Sequence, residues 1–218
     1  MRPALRTLAR ARTRWPGPFR PSVTVLGYHR VDVEGADLAV RPDTFGRQMA
    51  VLRQLATKGL PVLSLDDAIG DLARGSAPRR AVILTFDDAW ADNHENALPH
   101  LVAHQLPAVL YAPSRLLGTP GYMSREQLRE MAAAGVTIGA HTRTHPDLRR
   151  CDDDQLTSEI RGSKDDLEEL LGTPVRTFAY PTGLFNARVE AAVVAAGFDS
   201  AVTTKRGWLD TETPPFRI

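Results

Sequence analysis

The sequence predicts an α/β fold, in which parallel strands wrapped by helices form a deformed, incomplete (β/α)7 barrel. From residue 22 onward, short β-branched runs alternate with segments of helical periodicity. Residues 81–86 form a nearly uninterrupted apolar run, which is typical of a parallel strand buried on both faces. Seven strand and helix units can be counted, too few for a complete eightfold barrel, and their repeated β-then-α order favours a parallel sheet.

The strands are predicted where β-branched and apolar residues cluster, and the helices where apolar residues recur every three or four positions. The predicted strands are residues 23–28, 60–65, 81–86, 108–112, 136–140, 177–180 and 200–203. The longer predicted helices are residues 44–58, 93–105, 153–171 and 186–196. Of two shorter helices, one is capped by Ser64 or Asp66 and ends near Gly75. The other opens at Ser124, with Gln127 completing a capping box.

Composition limits the class of protein. The chain has 218 residues and a net charge of +1, with 27 Lys and Arg against 26 Asp and Glu, which gives no electrostatic basis for bulk nucleic-acid binding. Its single cysteine, Cys151, excludes an intramolecular disulfide and a thiolate-rich metal site. No run approaches the roughly 18 apolar residues of a membrane span, so no integral membrane segment is expected.

Residues 1–21 are predicted to be a basic, poorly ordered arm in front of one domain at residues 22–218. The first twenty residues contain six arginines and no acidic residue. They lack the continuous apolar segment of a secretory signal peptide, so we expect a cytoplasmic protein. A solvated tail or a misassigned start codon is the simpler explanation of the arm. Contact with an anionic membrane surface and export by another route stay open as alternatives.

Several polar clusters follow predicted strands, at the edge of the sheet where sites lie in such folds. Asp87 and Asp88 come directly after residues 81–86. Successive strand residues point to opposite faces, so the two acids can share a site only if the strand ends at about Phe86. A helix N-cap with a solvated neighbour is the alternative.

His141 and His145 follow the strand predicted at residues 136–140. Pro146 disfavours a helical backbone at His145, so we expect the pair on a loop, with His145 extended. Alone, this spacing is typical of surface or hydrogen-bonded core histidines. One carboxylate and two imidazoles together form a set that suits a divalent metal with an open position for water. The second carboxylate could then accept a proton from that water.

Two further strand ends carry candidate residues. Pro181, Thr182 and Gly183 form a turn whose backbone amide could stabilise a developing oxyanion, or which could simply end the strand. His29 follows the first strand and could be either a hydrogen-bonded core histidine or a catalytic acid.

Taken in order, three motifs resemble those of the polysaccharide deacetylase family (NodB-homology domain, carbohydrate esterase family 4): Thr85-Phe86-Asp87-Asp88-Ala89, His141-Thr142-x-x-His145 and Phe178-Ala-Tyr-Pro-Thr-Gly183. The likeness covers residues 23–218. It implies a deformed (β/α) barrel and metal-dependent removal of acetyl groups from the N-acetylated amino sugars of a glycan. It also implies that Asp87 is the base. The implied ligands of one divalent ion, usually Zn²⁺, are Asp88, His141 and His145.

The sequence departs from the family pattern at several positions. The later Leu-x-His motif that supplies the general acid is absent, since no histidine follows His145. The opening Leu-Gly-Tyr-His29-Arg-Val instead resembles the branch that deacetylates poly-N-acetylglucosamine, where the barrel strands are circularly permuted, and this implies His29 as the acid. Ala89 replaces a common Gly, Thr182 a common Tyr, and Ala179 an Arg beside the base. The replacement of Tyr by Thr182 should matter little if the oxyanion contact comes from the backbone amide. The absence of an Arg at Ala179 leaves open how Asp87 is held.

Trp90, Tyr180 and Trp208 are predicted to stack on a sugar ring, with core packing as the alternative for at least one of them. The sequence thus predicts a metal-dependent carbohydrate N-deacetylase that releases acetate. Two alternatives use the same fold. One is an O-acetyl esterase, whose alcohol leaving group needs less help from an acid, and the other is a catalytically impaired relative that binds glycan.

Overall fold

The computed structural model describes residues 22–33 and 38–218. The predicted basic arm at residues 1–21 lies outside the described residues, so the start of the domain at residue 22 stays a prediction. None of the helices in the described ranges combines the length and the apolar character that a membrane crossing requires.

The described residues contain eight strands: β1 (Ser22–Tyr28), β2 (Arg30–Val31), β3 (Ala39–Val40), β4 (Arg80–Phe86), β5 (Val109–Ala112), β6 (Thr137–Ala140), β7 (Thr177–Ala179) and β8 (Ser200–Val202). Six of them form one parallel sheet in the order β1-β4-β5-β6-β7-β8, while β2 and β3 form a separate pair. The sheet curls into a half-barrel wrapped by helices. The predicted incomplete α/β barrel is confirmed, with six strands in the sheet instead of seven.

The strand predicted at residues 60–65 is wrong. Val62 makes only an isolated parallel bridge with Val82. A strand cannot continue beyond this bridge, because Ser64 already caps the helix that follows it. The apolar run therefore adds one pair of backbone hydrogen bonds to the beginning of β4 and then leaves the sheet.

Six α-helices lie in the described chain: α1 (Pro42–Ala56), α2 (Leu65–Arg74), α3 (Leu98–His104), α4 (Arg125–Ala133), α5 (Asp153–Leu171) and α6 (Ala187–Ala195). Ser64 caps α2, and the capping box of Ser124 and Gln127 at α4 is confirmed. The helix predicted at residues 93–105 is divided, since Asn93–Ala97 forms a π-helical turn before α3. Such turns are frequent near functional sites.

Alternate residues of β4 face different hydrophobic clusters, as the side-chain period of a strand requires. Ala81 and Ile83 pack in a cluster that includes the apolar face of α2. Val82, Leu84 and Phe86 pack in a larger cluster that includes residues of α1 and α3 to α6. Both faces of the strand are therefore buried, and the polar residues that follow Phe86 mark the end of this apolar environment.

The C-terminal residues connect the two edge strands of the sheet. Leu209 and Val23 of β1 exchange backbone hydrogen bonds of 2.8 and 2.9 Å. The Ile218 N–H donates to the Ala201 carbonyl of β8 at 3.0 Å, and the Ile218 carbonyl accepts from the Thr203 N–H at 2.6 Å. The tail therefore crosses the open side of the half-barrel.

Candidate active site

The carboxyl ends of β1 and β4 bring His29 and Asp87 together. Tyr28 pairs with Phe86, and the Asp87 N–H donates to the Tyr28 carbonyl at 2.9 Å. The side chains that follow are therefore neighbours, with His29 Nε2 lying 3.8 Å from Asp87 Oδ2. The predicted end of the buried strand at Phe86 is confirmed.

A strained turn brings Asp88 to the same edge. After β4, the backbone of Asp88 has a φ of 74° and that of Ala89 a φ of 55°, both in the left-handed region. Such a conformation costs about 1–2 kcal/mol for each residue with a side chain. The turn removes the strand alternation that would send Asp87 and Asp88 to opposite faces. Backbone strain at such a position is typical of a functional site.

Asp88, His141 and His145 form a cluster that can hold a metal ion. One ligand atom from each lies within 4.8 Å of the others. Asp88 Oδ1 is 3.6 Å from His141 Nε2 and 3.5 Å from His145 Nε2. Two ligands bound at about 2.0–2.2 Å to a tetrahedral ion lie roughly 3.3–3.6 Å apart. The donor set and its spacing therefore fit a small divalent cation.

A hydrogen bond orients His141 within this cluster. The side chain is almost completely buried, and its Nδ1–H donates to the Ala179 carbonyl at 2.8 Å. The lone pair of the neutral ring is then on Nε2, the atom that faces Asp88. Desolvation lowers the pKa of both His141 and His145, which favours the neutral imidazoles that metal binding requires.

The loop after β6 carries both histidines, as predicted, but the extended backbone expected for His145 is wrong. Its φ is 61°, and its N–H donates to Thr142 Oγ1 at 2.9 Å. Thr142 is itself left-handed, with a φ of 67°. Pro146 disfavours the right-handed helical region for the residue before it. The left-handed backbone of His145 avoids that region and still allows its N–H to reach Thr142.

Helix α5 holds this loop from outside. Glu159 accepts hydrogen bonds from the N–H groups of Arg143 and Thr144 at 2.8 and 2.9 Å, and from Thr144 Oγ1 at 2.7 Å. The Arg143 guanidinium makes two bonds to Asp166, of 2.8 and 2.7 Å, and lies against Gly162, where a Cβ would clash. Sequence analysis missed these residues, because helical periodicity does not reveal that a polar side chain faces a loop.

Burial raises the pKa of Asp87 to about 6. His29 counteracts this increase, and the negative charge of Asp88 adds to it. Asp87 Oδ1 is buried and has no hydrogen-bond partner among the described residues. A carboxyl group whose pKa is close to neutral, beside a metal-binding set, has the properties of a general base.

The predicted turn after β7 is present at Pro181–Gly183. Thr182 has a φ of 56° and Gly183 a φ of 73°. Gly183 packs directly against Thr204, since a Cβ at residue 183 would lie 2.5 Å from Thr204 N and 2.7 Å from Thr204 Cβ. The Thr204 hydroxyl donates to the Thr182 carbonyl at 3.2 Å. The turn is therefore fixed, and the role of the Thr182 amide at an oxyanion stays a prediction.

Of the three predicted sugar-binding aromatic residues, Tyr180 lies in the core and Trp208 lies in the C-terminal tail. Tyr180 is only 2% exposed, and its ring stacks on Phe185 with 4.6 Å between the centroids. Trp208 precedes Leu209, which pairs with Val23 near the amino end of β1. At the rise of a strand, this position is roughly 17 Å from the carboxyl end. The prediction for Tyr180 is wrong, because Tyr180 fills the core. The tail carries Trp208 toward the amino end of β1, and its contact with a sugar stays a prediction.

Trp90 does lie at the site, but its surroundings differ from those of an open stacking platform. Its ring stacks on Tyr122 with 4.4 Å between centroids and 20° between planes. Its Nε1–H donates to Asp88 Oδ2 at 3.2 Å. The indole thus contacts the carboxylate of the metal-binding cluster, and the sugar contact of Trp90 stays a prediction.

Two polar residues at the start of the helix predicted at residues 93–105, neither of them predicted as a site residue, hold the segment after β1. The buried Asn93 donates from Nδ2 to the His29 carbonyl at 2.9 Å. Asp92 Oδ1 accepts from the Val31 N–H at 2.8 Å. An Asp-Asn pair close after the two acids of β4 was the available signal, because polar residues at the start of a buried helix need partners.

Comparisons with known proteins indicate a family and a fold. A sequence model described as "Polysaccharide deacetylase" matches residues 74–201, more than half of the chain. The poly-beta-1,6-N-acetyl-D-glucosamine N-deacetylase of Staphylococcus epidermidis is 24% identical over 226 residues, which cover 90% of this chain and 77% of that protein. The Streptococcus pyogenes deacetylase PplD in complex with acetate is 27% identical with a TM-score of 0.84, and the match covers 91% of this chain and 90% of that one. IcaB from Ammonifex degensii is 25% identical with a TM-score of 0.77, over 89% of each chain.

The turn after β7 makes Gly183 sensitive to substitution. We expect Gly183→Ala to lower the free energy of unfolding by about 2–4 kcal/mol, because the left-handed backbone and the contact with Thr204 both oppose a Cβ. Gly172→Ala is the matched control, since Gly172 is also left-handed at 69° but has open space around it. Its expected cost is about 1 kcal/mol. Equal losses in urea unfolding of the two variants would contradict the proposed packing.

The raised pKa of Asp87 predicts that its ionisation destabilises the metal-free protein. A carboxyl group whose pKa rises from 3.8 to about 6 on folding costs up to about 3 kcal/mol once it is ionised. We therefore expect metal-free Asp87→Asn to be more stable than the wild type at pH 7.5. This advantage should shrink as the pH falls from 7.5 toward 4, where the wild-type carboxyl becomes protonated. Urea unfolding of both proteins after chelator treatment measures the difference, and a pH-independent difference would exclude this assignment.

Proposed function

This chain belongs to the polysaccharide deacetylase family, and we propose that it is a metal-dependent hydrolase that removes acetyl groups from N-acetylated amino sugars of a glycan. The observation that carries the proposal is the meeting of a metal-binding set and a His-Asp pair at one edge of the sheet. The names of the relatives support the substrate class, since one acts on poly-beta-1,6-N-acetyl-D-glucosamine and another on chitooligosaccharide.

The proposed metal ligands are Asp88 Oδ1, His141 Nε2 and His145 Nε2. A divalent cation, when bound, acts as a Lewis acid toward a carbonyl oxygen and makes water more acidic. Three protein ligands leave a coordination position open, as in catalytic rather than structural sites. Zinc is the proposed ion, because imidazole nitrogen and carboxylate oxygen are among its preferred ligands.

Asp87 is proposed to accept the proton of the attacking water. Its carboxylate adjoins the metal-binding Asp88 in sequence, and its pKa of about 6 allows it both to be ionised near neutrality and to bind a proton during the reaction. His29, 3.8 Å away, is proposed to donate a proton to the departing amine. The amide of Thr182 is proposed to donate a hydrogen bond to the oxyanion.

Acetate release tests these roles. We expect Asp87→Asn and His29→Ala to lower the rate of acetate release from chitooligosaccharides by about 10²- to 10⁴-fold, the usual contribution of a general acid or base. His29→Ala should retain more activity on an O-acetylated sugar, because an alcohol leaves more readily than an amine. Wild-type turnover by Asp87→Asn would exclude the base assignment. A wild-type protein that releases acetate only from O-acetyl substrates would replace the proposal with an esterase.

Metal content tests the ligand assignment independently of turnover. We expect His141→Ala to lose the bound divalent ion, since it removes one of three protein donors. His104→Ala is the matched control, because His104 ends α3 on the turn that leads toward the amino end of β5. Elemental analysis should find about one ion per chain in the wild type and in the control. Full occupancy in His141→Ala would refute the assignment.

A further inference from the structure

The two oxygens of Asp88 have different partners. Oδ1 faces the imidazoles, 3.6 Å from His141 Nε2 and 3.5 Å from His145 Nε2. Oδ2 accepts a hydrogen bond from the Trp90 indole N–H at 3.2 Å. An indole nitrogen can only donate, and an ionised carboxylate oxygen can only accept, so the two groups are matched partners. The carboxylate is thus oriented with one oxygen toward the position of the metal.

Backbone and ring contacts fix the indole that donates this bond. Trp90 and Tyr122 form an antiparallel bridge, and their rings stack at 4.4 Å. The Ala91 N–H donates to the Gly121 carbonyl at 2.9 Å. Gly121 is left-handed, with a φ of 88°, and a Cβ there would lie 3.3 Å from the indole ring. The donor therefore has a defined position before any ligand arrives.

The same indole also contacts the segment that carries His29. The guanidinium of Arg30 lies 5.0 Å from the centroid of the Trp90 ring, within cation–π range. Arg30 Nε donates to the buried Asp92 at 2.8 Å. Trp90 thus touches both the metal-binding carboxylate and the strand that begins directly after the proposed acid.

We propose that Trp90 is a positioning residue that restricts Asp88 to binding the metal through Oδ1. The inference rests on the metal-dependent deacetylase proposed above and adds a residue to its metal site. Without the N–H, Oδ2 loses its partner, and the carboxylate can rotate or offer both oxygens to the ion. Supporting hydrogen bonds of this kind contribute about 10- to 100-fold to metal affinity.

The first test is Trp90→Phe, which keeps an aromatic ring beside Tyr122 and removes the N–H. We expect its affinity for Zn²⁺, measured by competition with a chromophoric chelator without substrate, to fall by about 10- to 100-fold. Trp208→Phe is the matched control and should bind like the wild type, because Trp208 lies near the amino end of β1. Wild-type affinity in Trp90→Phe would overturn the proposal.

A second substitution separates hydrogen bonding from packing. Replacement of Trp90 by β-(3-benzothienyl)alanine keeps the two fused rings and exchanges the N–H for sulfur. We expect a similar loss of Zn²⁺ affinity, an unchanged thermal midpoint of the metal-free protein, and an altered visible spectrum of the Co²⁺-substituted protein. Wild-type affinity and spectrum in this variant would mean that the ring only fills space, and would overturn the proposal.

The failure of this inference can be distinguished from the failure of the proposed function. Tight Zn²⁺ binding and acetate release by the wild type, with unchanged affinity in both Trp90 variants, would overturn the positioning role alone. A wild-type protein that binds no Zn²⁺ would overturn both proposals. Zn²⁺ binding without acetate release would overturn the deacetylase, while the affinities of the Trp90 variants would still decide the positioning role.

Discussion

Two adjacent carboxylates at the end of a buried strand need positive charge beside them, and this requirement organises the carboxyl edge of the half-barrel. Asp87 and Asp88 follow β4, whose residues are buried from Ala81 to Phe86. Burial without compensation disfavours an ionised carboxylate, as the raised pKa of Asp87 indicates. His29 approaches Asp87 from the end of β1. His141 and His145 approach from the end of β6 and supply donors for a cation at Asp88. The hydrogen bonds that the Ala179 carbonyl accepts and that Asn93 and Trp90 donate therefore act together, because each fixes a group that must stay close to these two acids.

Holding these groups together requires unusual backbone. In the described ranges seven non-glycine residues have positive φ, and five of them lie in the loops of this edge: Asp88, Ala89, Thr142, His145 and Thr182. Each costs about 1–2 kcal/mol, so the surrounding structure must fix their conformations. Ala89 illustrates the compensation, since a glycine would adopt its φ without cost. Its methyl group is instead completely buried in the larger hydrophobic cluster, which offsets part of the strain.

The sequence predicts those parts of the molecule that depend on short-range patterns. Apolar runs located the six strands of the sheet, and the Ser124 cap located the start of α4, because both signals come from neighbouring residues. The run at residues 60–65 had the same pattern, but it forms only one bridge because Ser64 already caps the next helix. The sugar-binding role of Tyr180 failed for a related reason, since an aromatic residue carries no local signal of which surface it faces. The contact of Trp90 with Asp88 depends on how Tyr122 folds back, which only tertiary structure determines.

The position of His29 follows from the sheet rather than from its place in the chain. In a closed barrel the first and the last strand are neighbours, so either end of a chain can supply the strand beside a given edge. In this chain the tail contacts both edge strands, since Leu209 pairs with β1 and Ile218 pairs with β8. A histidine after the first strand and a histidine after the last can therefore reach the same carboxyl edge with little change in packing. The absence of a C-terminal histidine from the motif pattern is thus compatible with the proposed roles of His29 and Asp87, as long as β1 lies beside β4 with Tyr28 opposite Phe86.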